Sequence, residues 1–285
     1  MSYANFIPTV WEEAINRELE KDCVFVEDCN RKYEGSVKQL GDSVRILGVG
    51  KPTIKHLSRA EATNDIDAPE VIEDTSVTMN INQIAYFNFL VGDIDEKQAV
   101  GGVMEALNEE SGEGIADDID QYIANLAKEK TAVKVYESAL KVVASETPAS
   151  GEVNVLDALD KALEKLYTNN VKRKTKVVAT VSPRFLTILN KAYRLTDTDN
   201  HKLMKNGYVG MYNNITIKMS NNVATDNGVD LIQVKTQRAI AFANPLTHTE
   251  PYRPEKKFAD AVKGFTLYDA KIVRPKEMFV LNVKY

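Results

Sequence analysis

The sequence has few of the residues that most often carry out chemistry. Among its 285 residues are two cysteines and three histidines. A zinc site needs four ligands at short spacings, whereas His56, His201 and His248 are scattered along the chain. The two cysteines, Cys23 and Cys29, have no partner motif. We therefore expect reduced, half-buried thiols, no metal and no cofactor.

A basic excess and long hydrophobic runs are also missing. The formal net charge is −5, which argues against a surface that neutralises many phosphates. Nowhere do about 18 apolar residues run together, and residues Met1 to Trp11 lack the basic and apolar regions of a signal peptide. The sequence predicts a soluble chain that does not bind DNA directly and does not recognise nucleic acid by sequence. Its 44% hydrophobic content is sufficient for a large core.

No motif predicts catalysis. Residues 48–53 resemble a phosphate-binding loop, but Arg45 replaces the first glycine, and Pro52 removes a donor and displaces the required Ser or Thr. The carboxylate clusters around residues 93–96, 117–120 and 197–199 lack the spacing of a calcium loop. There is no nucleophile elbow and no recognisable Cys and His pair. The alternative of a soluble α/β enzyme therefore has no candidate residue.

A long amphipathic segment follows the aromatic strand end Tyr86-Phe87-Asn88-Phe89. Apolar residues recur at three- and four-residue steps, which predicts a helix from about Lys97 to Lys130. Such a helix is roughly 50 Å long, about three times the ordinary length. The sequence thus predicts an extended molecule. The apolar residues are Val103, Leu107, Ile115, Ile119, Tyr122, Ile123 and Leu126.

Two segments before this helix have little core of their own. Trp11, Ile15 and Leu19 form a narrow stripe that could cover the chain's own core or a neighbouring subunit. Segments with β propensity near 44–47 and 77–82 lie on either side of a polar stretch, which predicts a long two-stranded hairpin, the excursion, that projects from the body. An isolated hairpin is marginally stable in water, so this one is expected to lie on the body or on the next subunit.

The second half of the chain alternates strands and helices. We predict a strand over 133–143, a linker at 147–151, and a helix over 154–168 with Asn154 as its N-cap. A strand at 177–181 precedes a helix that begins at Ser182-Pro183. Further strands near 207–219 and 231–243 lead to a closing strand at 279–283. The order predicts an α+β protein with an α/β sub-domain.

The order of these parts resembles the major capsid proteins of tailed bacteriophages, of the Hong Kong ninety-seven fold. The resemblance covers nearly the whole chain and depends on the number and order of short motifs. These are Phe6-Ile7-Pro8-x-x-Trp11, Tyr33-Glu34-Gly35, Gly41-Asp42-Ser43-Val44, Asp117-x-x-Asp120-Gln121-Tyr122-Ile123, Val181-Ser182-Pro183, Gly207-Tyr208-Val209-Gly210, Ala239-Ile240-Ala241-Phe242-Ala243 and Val262-Lys263-Gly264.

The resemblance implies a domain organisation and a function. Residues 1–34 would be an N-terminal arm, 35–82 an extended β loop, 83–148 with 230–285 a peripheral domain with a spine helix, and 149–229 an axial domain. The chain would be a non-enzymatic subunit that self-assembles as hexamers and pentamers into an icosahedral head shell enclosing double-stranded DNA. It would be made in the bacterial host cytoplasm and reside in the virion. An encapsulin-like nanocompartment shell is the alternative within this fold.

The resemblance also implies partners and contacts. Because the arm begins at Phe6, a separate scaffolding protein is expected, together with a portal. Lys51, Lys55 and Asn282 are the residue types of an isopeptide crosslink, but they are too common for us to predict one. The predicted inter-subunit contacts are Phe6, Trp11, Ile15 and Leu19 of the arm, and basic Arg45, Lys51, Lys55 and Arg59 of the loop against acidic Asp93, Asp95 and Glu96.

Overall fold

The computed structural model describes residues 23–32, 43–49, 54, 56, 74–92, 103–195 and 209–285. Within these ranges the chain forms a nine-stranded sheet, a three-stranded sheet, a two-stranded hairpin and three α-helices. The predicted α+β class is confirmed. The strands are β1 (Ser43–Val49), β2 (Asp74–Asn80), β3 (Gln83–Gly92), β4 (Val133–Lys134), β5 (Leu140–Val143), β6 (Glu152–Asn154), β7 (Val177–Val181), β8 (Val209–Tyr212), β9 (Ile215–Met219), β10 (Thr225–Asp226), β11 (Val229–Thr236), β12 (Ile240–Tyr252), β13 (Ala259–Ile272) and β14 (Met278–Lys284).

The long helix α1 spans Val103–Asn125, and positions 97–102 of the predicted helix lie outside the described residues. Its described part is about 35 Å long at 1.5 Å per residue. Ile115, Ile119 and Ile123 lie on its buried face, as the apolar periodicity predicts. The helix therefore presents one continuous apolar stripe to the two sheets.

The predicted C-terminal end of α1, near Lys130, is wrong. The α-helix ends at Asn125, and a 3₁₀ turn, Leu126–Lys128, follows it. The side chain of Gln233 donates hydrogen bonds of 3.0 Å to the carbonyl oxygens of Ile123 and Ala124. The last carbonyls of a helix have no partner within the helix, so these bonds stabilise its end here.

The hairpin of β1 and β2 packs against the chain's own body. The two strands pair antiparallel along their whole length. One face of the hairpin is apolar and joins the three-stranded sheet in a small separate core. For the part of the excursion that the structure describes, the body is thus the packing partner. The buried members of this core are Val44, Ile46, Met79, Ile81, Ala241, Ala243 and Leu267.

The three-stranded antiparallel sheet has the order β12-β13-β3 and lies beside α1. Two tyrosine hydroxyls connect the helix and the sheet: Tyr122 donates to Asp269 at 3.1 Å, and Tyr268 donates to Asp118 at 2.6 Å. The two rings meet edge to face, with centroids 5.4 Å apart. Polar and aromatic contacts therefore fix the position of the helix on this sheet.

The nine-stranded mixed sheet has the order β6-β5-β14-β11-β7-β9-β8, with β10 on β11 and β4 on β14. Helices α2 (Val155–Thr168) and α3 (Pro183–Leu195) provide buried apolar faces to the main core. The predicted caps are confirmed, because Asn154 Oδ1 accepts from Leu156 N at 2.9 Å and Ser182 Oγ accepts from Phe185 N at 3.4 Å.

Two further features of this sheet bear on the sequence predictions. The single strand predicted over 133–143 is in fact the two short strands β4 and β5, which pair with β14 at separate places. Strands from both predicted domains, β14 and β5 on one side and β7 and β9 on the other, lie in the same sheet. The division of the chain into peripheral and axial domains stays a prediction.

Candidate interaction surfaces

Most of the predicted contact residues lie outside the part of the chain that the structure describes. This holds for Phe6, Trp11, Ile15, Leu19, Lys51, Lys55, Arg59, Asp93, Asp95 and Glu96. Arg45 is described, and its exposed side chain on β1 donates to Ser76 Oγ of β2 at 3.3 Å. The predicted contacts themselves stay predictions.

The segment that leads out of the predicted arm, residues 23–30, is built into the body; we call it the arm root. Phe25 and Cys29 are each 1% exposed and belong to the main core. The two cysteines are free thiols, and both are buried. The expectation from the sequence that they are only half-buried is therefore wrong. Burial raises the pKa of the Cys29 thiol, which favours its neutral form.

The Asp120 carboxylate of α1 holds the first residues of the arm root. It accepts hydrogen bonds from Val24 N at 2.7 Å and from Phe25 N at 3.1 Å. Asp120 is buried, and desolvation raises the pKa of its carboxyl group to about 6. The two N–H donors and the nearby Lys235 oppose this shift without cancelling it. A buried acid on the helix thus positions the backbone of the arm root.

Three lysines of the nine-stranded sheet and its loops contact the arm root. Lys218 Nζ lies 2.7 Å from Asp28 Oδ2 and also pairs with Glu27, while Lys176 Nζ lies 3.3 Å from Asp28 Oδ1. Burial lowers the pKa of Lys218, but its bonds to Asp28 and Glu27 outweigh burial and raise the pKa overall. Lys235 is completely buried and donates to Cys29 Sγ at 3.2 Å.

The end of the arm root is attached to the three-stranded sheet. Asn30 forms a parallel bridge with Ala241 of β12. Its N–H donates to the carbonyl oxygen of Ile240 at 2.8 Å, and its own carbonyl oxygen accepts from Phe242 N at 3.1 Å. The arm root is therefore bonded to α1, to the nine-stranded sheet and to β12, so its own position on the body is fixed.

An apolar row lies exposed on the outer face of β3. Ile84, Tyr86 and Leu90 are 51%, 78% and 43% exposed. They share a face because alternate residues of a strand point the same way. Single exposed apolar residues are ordinary, but three on one face of a strand, interrupted only by Asn88, form an exposed patch of the kind that marks interaction surfaces. This surface was not predicted, although Tyr86-Phe87-Asn88-Phe89 places aromatic residues on both faces of one strand.

A second exposed aromatic lies at the turn between β12 and β13. Phe258 is 90% exposed and follows the charged residues Glu255, Lys256 and Lys257. Among the described residues, no helix is long and apolar enough to span a membrane. In the same ranges no group of three or more His, Cys, Asp or Glu side chains could hold a metal ion.

Solved structures of phage proteins are similar to this chain over most of its length. A structure from Mycobacterium phage Che8 has a TM-score of 0.73 and 27% identity, covering 90% of this chain and 90% of that chain. The capsid of cyanophage P-SCSP1u has a TM-score of 0.70 and 16% identity, covering 92% and 88%. The mature capsid of bacteriophage PhiM1 has a TM-score of 0.65 and 16% identity, covering 87% and 83%.

These similarities define the fold. The chain has the fold of phage capsid proteins, which confirms the fold that the resemblance predicted. The narrower designation, Hong Kong ninety-seven, stays a prediction. No protein-family model matches the sequence, and no curated protein matches it.

Proposed function

We propose that this chain is a phage major capsid protein, the repeated structural subunit of a head shell. The observation that supports it is the agreement of fold with the capsid structures of cyanophage P-SCSP1u and bacteriophage PhiM1, which covers 92% and 87% of this chain. The proposal makes the chain a structural protein of the virion without catalytic activity. Many copies associate with one another, so their contacts are the functional sites.

The surfaces of the subunit support this role. The apolar row Ile84, Tyr86 and Leu90 is exposed to solvent in a single copy. Contact with a neighbouring copy would bury it, which is energetically favourable. The arm root is held in one place on the body, so the segment that leads out of the predicted arm has the same position in every copy. A repeated shell needs this uniformity, because one contact is formed many times.

Several finer features belong to the same proposal. The copies form hexamers and pentamers that enclose double-stranded DNA, assisted by a separate scaffolding protein and a portal, after synthesis in the bacterial host cytoplasm. The arm residues Phe6, Trp11, Ile15 and Leu19 contact a neighbour. The loop cations Arg45, Lys51, Lys55 and Arg59 contact acidic residues of a neighbour near Asp93, Asp95 and Glu96.

The proposal is tested by the size of the assembled product. The chain is expressed alone and with candidate scaffolding proteins, and the product is separated by sedimentation and imaged after negative staining. We expect closed particles or rings of subunits. Recovery of only monomers or small two-fold oligomers under every condition would contradict the proposal. The particle content, DNA or protein cargo, separates a phage head from the encapsulin-like compartment that the sequence left open.

A matched pair of variants tests the apolar row. Tyr86→Lys places a charge at the centre of the row and should abolish particles while the subunit stays folded, because Tyr86 is 78% exposed within one copy. Tyr86→Phe keeps the apolar surface and should assemble as the wild type does. If Tyr86→Lys forms particles with normal yield, the row is not a contact between copies.

A further inference from the structure

Three loops meet at one end of the nine-stranded sheet. The loop 169–176 precedes β7, the turn 237–239 follows β11, and the loop 273–277 precedes β14. The register pairs Val177 with Thr236, and Lys235 with Met278, so the ends of these three strands are adjacent. Residues far apart in sequence are therefore brought together at a single edge of the molecule.

This edge is strongly basic in a protein of net charge −5. The three loops contain seven basic residues and one acidic residue, Glu277. Glu277 pairs with Arg274 at 2.8 Å, and Lys176 pairs with Asp28 at 3.3 Å. The other five cations are exposed and have no ion pair with any residue that the structure describes. We call these five the basic end: Lys172, Arg173, Lys174, Arg238 and Lys276.

Hydrogen bonds fix the backbone that carries these cations. Residues 172–175 form a tight turn in which Thr175 N donates to Lys172 O at 2.8 Å. Asn214 Nδ2 donates to the carbonyl oxygen of Arg173 at 2.9 Å, which connects the turn to the segment before β9. Asn169 Nδ2 donates to the carbonyl oxygen of Lys276 at 2.9 Å. The charges therefore extend from loops whose positions are set by the folded body.

The positive surface continues into a neighbouring cleft. This cleft has a volume of about 460 Å³ and lies between α2 and the start of β14. Lys276 lines it together with Lys161 and Lys165, while Glu164 is its one acidic lining residue. Lys165 Nζ donates to the carbonyl oxygen of Val135 at 2.6 Å. The cleft therefore contributes more positive than negative charge next to the basic end.

We propose that the basic end binds the phosphodiester backbone of double-stranded DNA without reading its sequence. This inference rests on the proposed function, in which the shell encloses DNA. Exposed Lys and Arg residues are the groups that contact phosphates, and they supply most of the non-specific affinity for DNA. The overall negative charge that argued against such binding is an average over the chain, whereas contact depends on the local charge.

The alternative partner is an acidic surface of a second copy. The cores of protein interfaces are depleted in lysine and enriched in aromatic residues. The three loops contain no aromatic residue, and three of the five cations of the basic end are lysines. The composition of this surface therefore favours a polyanion, and the acidic surface becomes an outcome that the experiment must separate.

The test measures binding of the unassembled full chain to a random-sequence DNA duplex by fluorescence anisotropy over a series of salt concentrations. One variant replaces Lys172, Arg173 and Lys174 with serine. The control replaces Lys191, Lys256 and Lys257 with serine. These lysines are also exposed, and the control variant has the same net charge as the basic-end variant. Circular dichroism establishes that both variants are folded, and sedimentation measures particle formation by each.

We expect the control to bind DNA as the wild type does. The basic-end variant should bind DNA about tenfold more weakly at low salt. The slope of the logarithm of its binding constant against the logarithm of the salt concentration should be smaller in magnitude by up to about three. Equal weakening in both variants, or no binding by the wild type, would overturn the inference. So would unchanged DNA binding with loss of particles, which assigns the basic end to contact between copies. Wild-type DNA binding without any particles would overturn the proposed function alone.

Discussion

The carboxylate of Asp120 on α1 accepts a 2.7 Å hydrogen bond from the backbone N–H of Val24, which is 96 residues earlier in the chain. The same carboxylate accepts from Phe25 N at 3.1 Å. This side chain therefore satisfies two backbone donors of the arm root, and no other element needs to supply their acceptors. The long helix is thus hydrogen-bonded directly to the arm root, so the position of the helix fixes the position of the arm root.

Removing this carboxylate should destabilise the subunit. Asp120→Ala leaves the N–H groups of Val24 and Phe25 without their acceptor, which should lower the free energy of unfolding by roughly 2–3 kcal/mol. Glu113→Ala is the matched control, because Glu113 is an exposed acidic residue of the same helix and its loss should cost less than about 0.5 kcal/mol. Urea unfolding followed by circular dichroism measures both. Equal stability of the two variants would contradict the role of Asp120.

The burial of Asp120 also predicts a pH dependence. Desolvation raises the pKa of this carboxyl group from 3.8 to about 6 in the folded chain. Between these values the folded chain binds a proton that the unfolded chain does not, so the free energy of unfolding should rise as the pH falls through this window. Lys235 and Asp117 also act on this pKa, and both are retained in an Asp120→Asn variant.

The measurement is urea unfolding of wild type and Asp120→Asn at several pH values. The stability of the wild type relative to the variant should increase by about 3 kcal/mol or less as the pH falls from about 7 to about 4. Other carboxyl groups, such as Asp269, are common to both proteins and cancel in the difference. Parallel pH profiles would show that Asp120 does not titrate in this window.

Gly264 of β13 should tolerate no side chain while Phe87 is present. A Cβ atom added at Gly264 would lie 2.5 Å from Cε1 and Cζ of the Phe87 ring and 3.1 Å from the carbonyl oxygen of His248. We expect Gly264→Ala to lower the free energy of unfolding by about 1–3 kcal/mol. Combined with Phe87→Leu, the loss should be smaller than the sum of the two single losses, because the ring is then absent.

Gly114→Ala is the control for this change. Gly114 is an exposed residue of α1 with no atom within 4 Å of an added Cβ. Alanine should stabilise the helix there by about 0.5–1 kcal/mol. Thermal unfolding of the two single variants and the double variant measures all of these effects. Additive losses at Gly264 and Phe87 would mean that the ring is not the obstacle.

Truncation of the arm separates its two possible roles. Removing residues 1–20 leaves the arm root, with Phe25 and Cys29 in the main core. The subunit should therefore remain folded by circular dichroism, whereas particle formation should be lost because Trp11, Ile15 and Leu19 no longer contact a neighbour. A truncated chain that fails to fold would instead place the stripe in the subunit's own core.

Features that depend on neighbouring residues could be predicted from the sequence. The buried stripe of α2 repeats at three- and four-residue steps, and its N-cap Asn154 immediately precedes it. The end of α1 could not be predicted, because Gln233, which is 110 residues from Ile123, donates to its last carbonyls. Nothing in the local sequence around Lys130 indicates that contact.

The candidate surfaces also differ in whether they depend on neighbouring residues or on contacts between distant parts of the chain. The arm stripe is visible in the spacing of Trp11, Ile15 and Leu19, but which surface it contacts depends on another part of the assembly. The arm root depends on Asp28, Lys218 and Lys235, whose proximity is set by the order of strands in the sheet. The basic end likewise forms from three loops that are distributed over residues 169–277 of the sequence. Spacing along the chain contains none of this information.

If the chain is a capsid subunit, its copies form a closed shell. Cryo-electron microscopy of the sedimented product tests it most directly, because a reconstruction gives both the symmetry and the fold of each subunit. We predict an icosahedral shell in which every subunit has this fold, with the apolar row of β3 and residues 1–22 in contact with neighbouring copies. A reconstruction without a shell, or a shell in which both of these surfaces face solvent, would contradict the account.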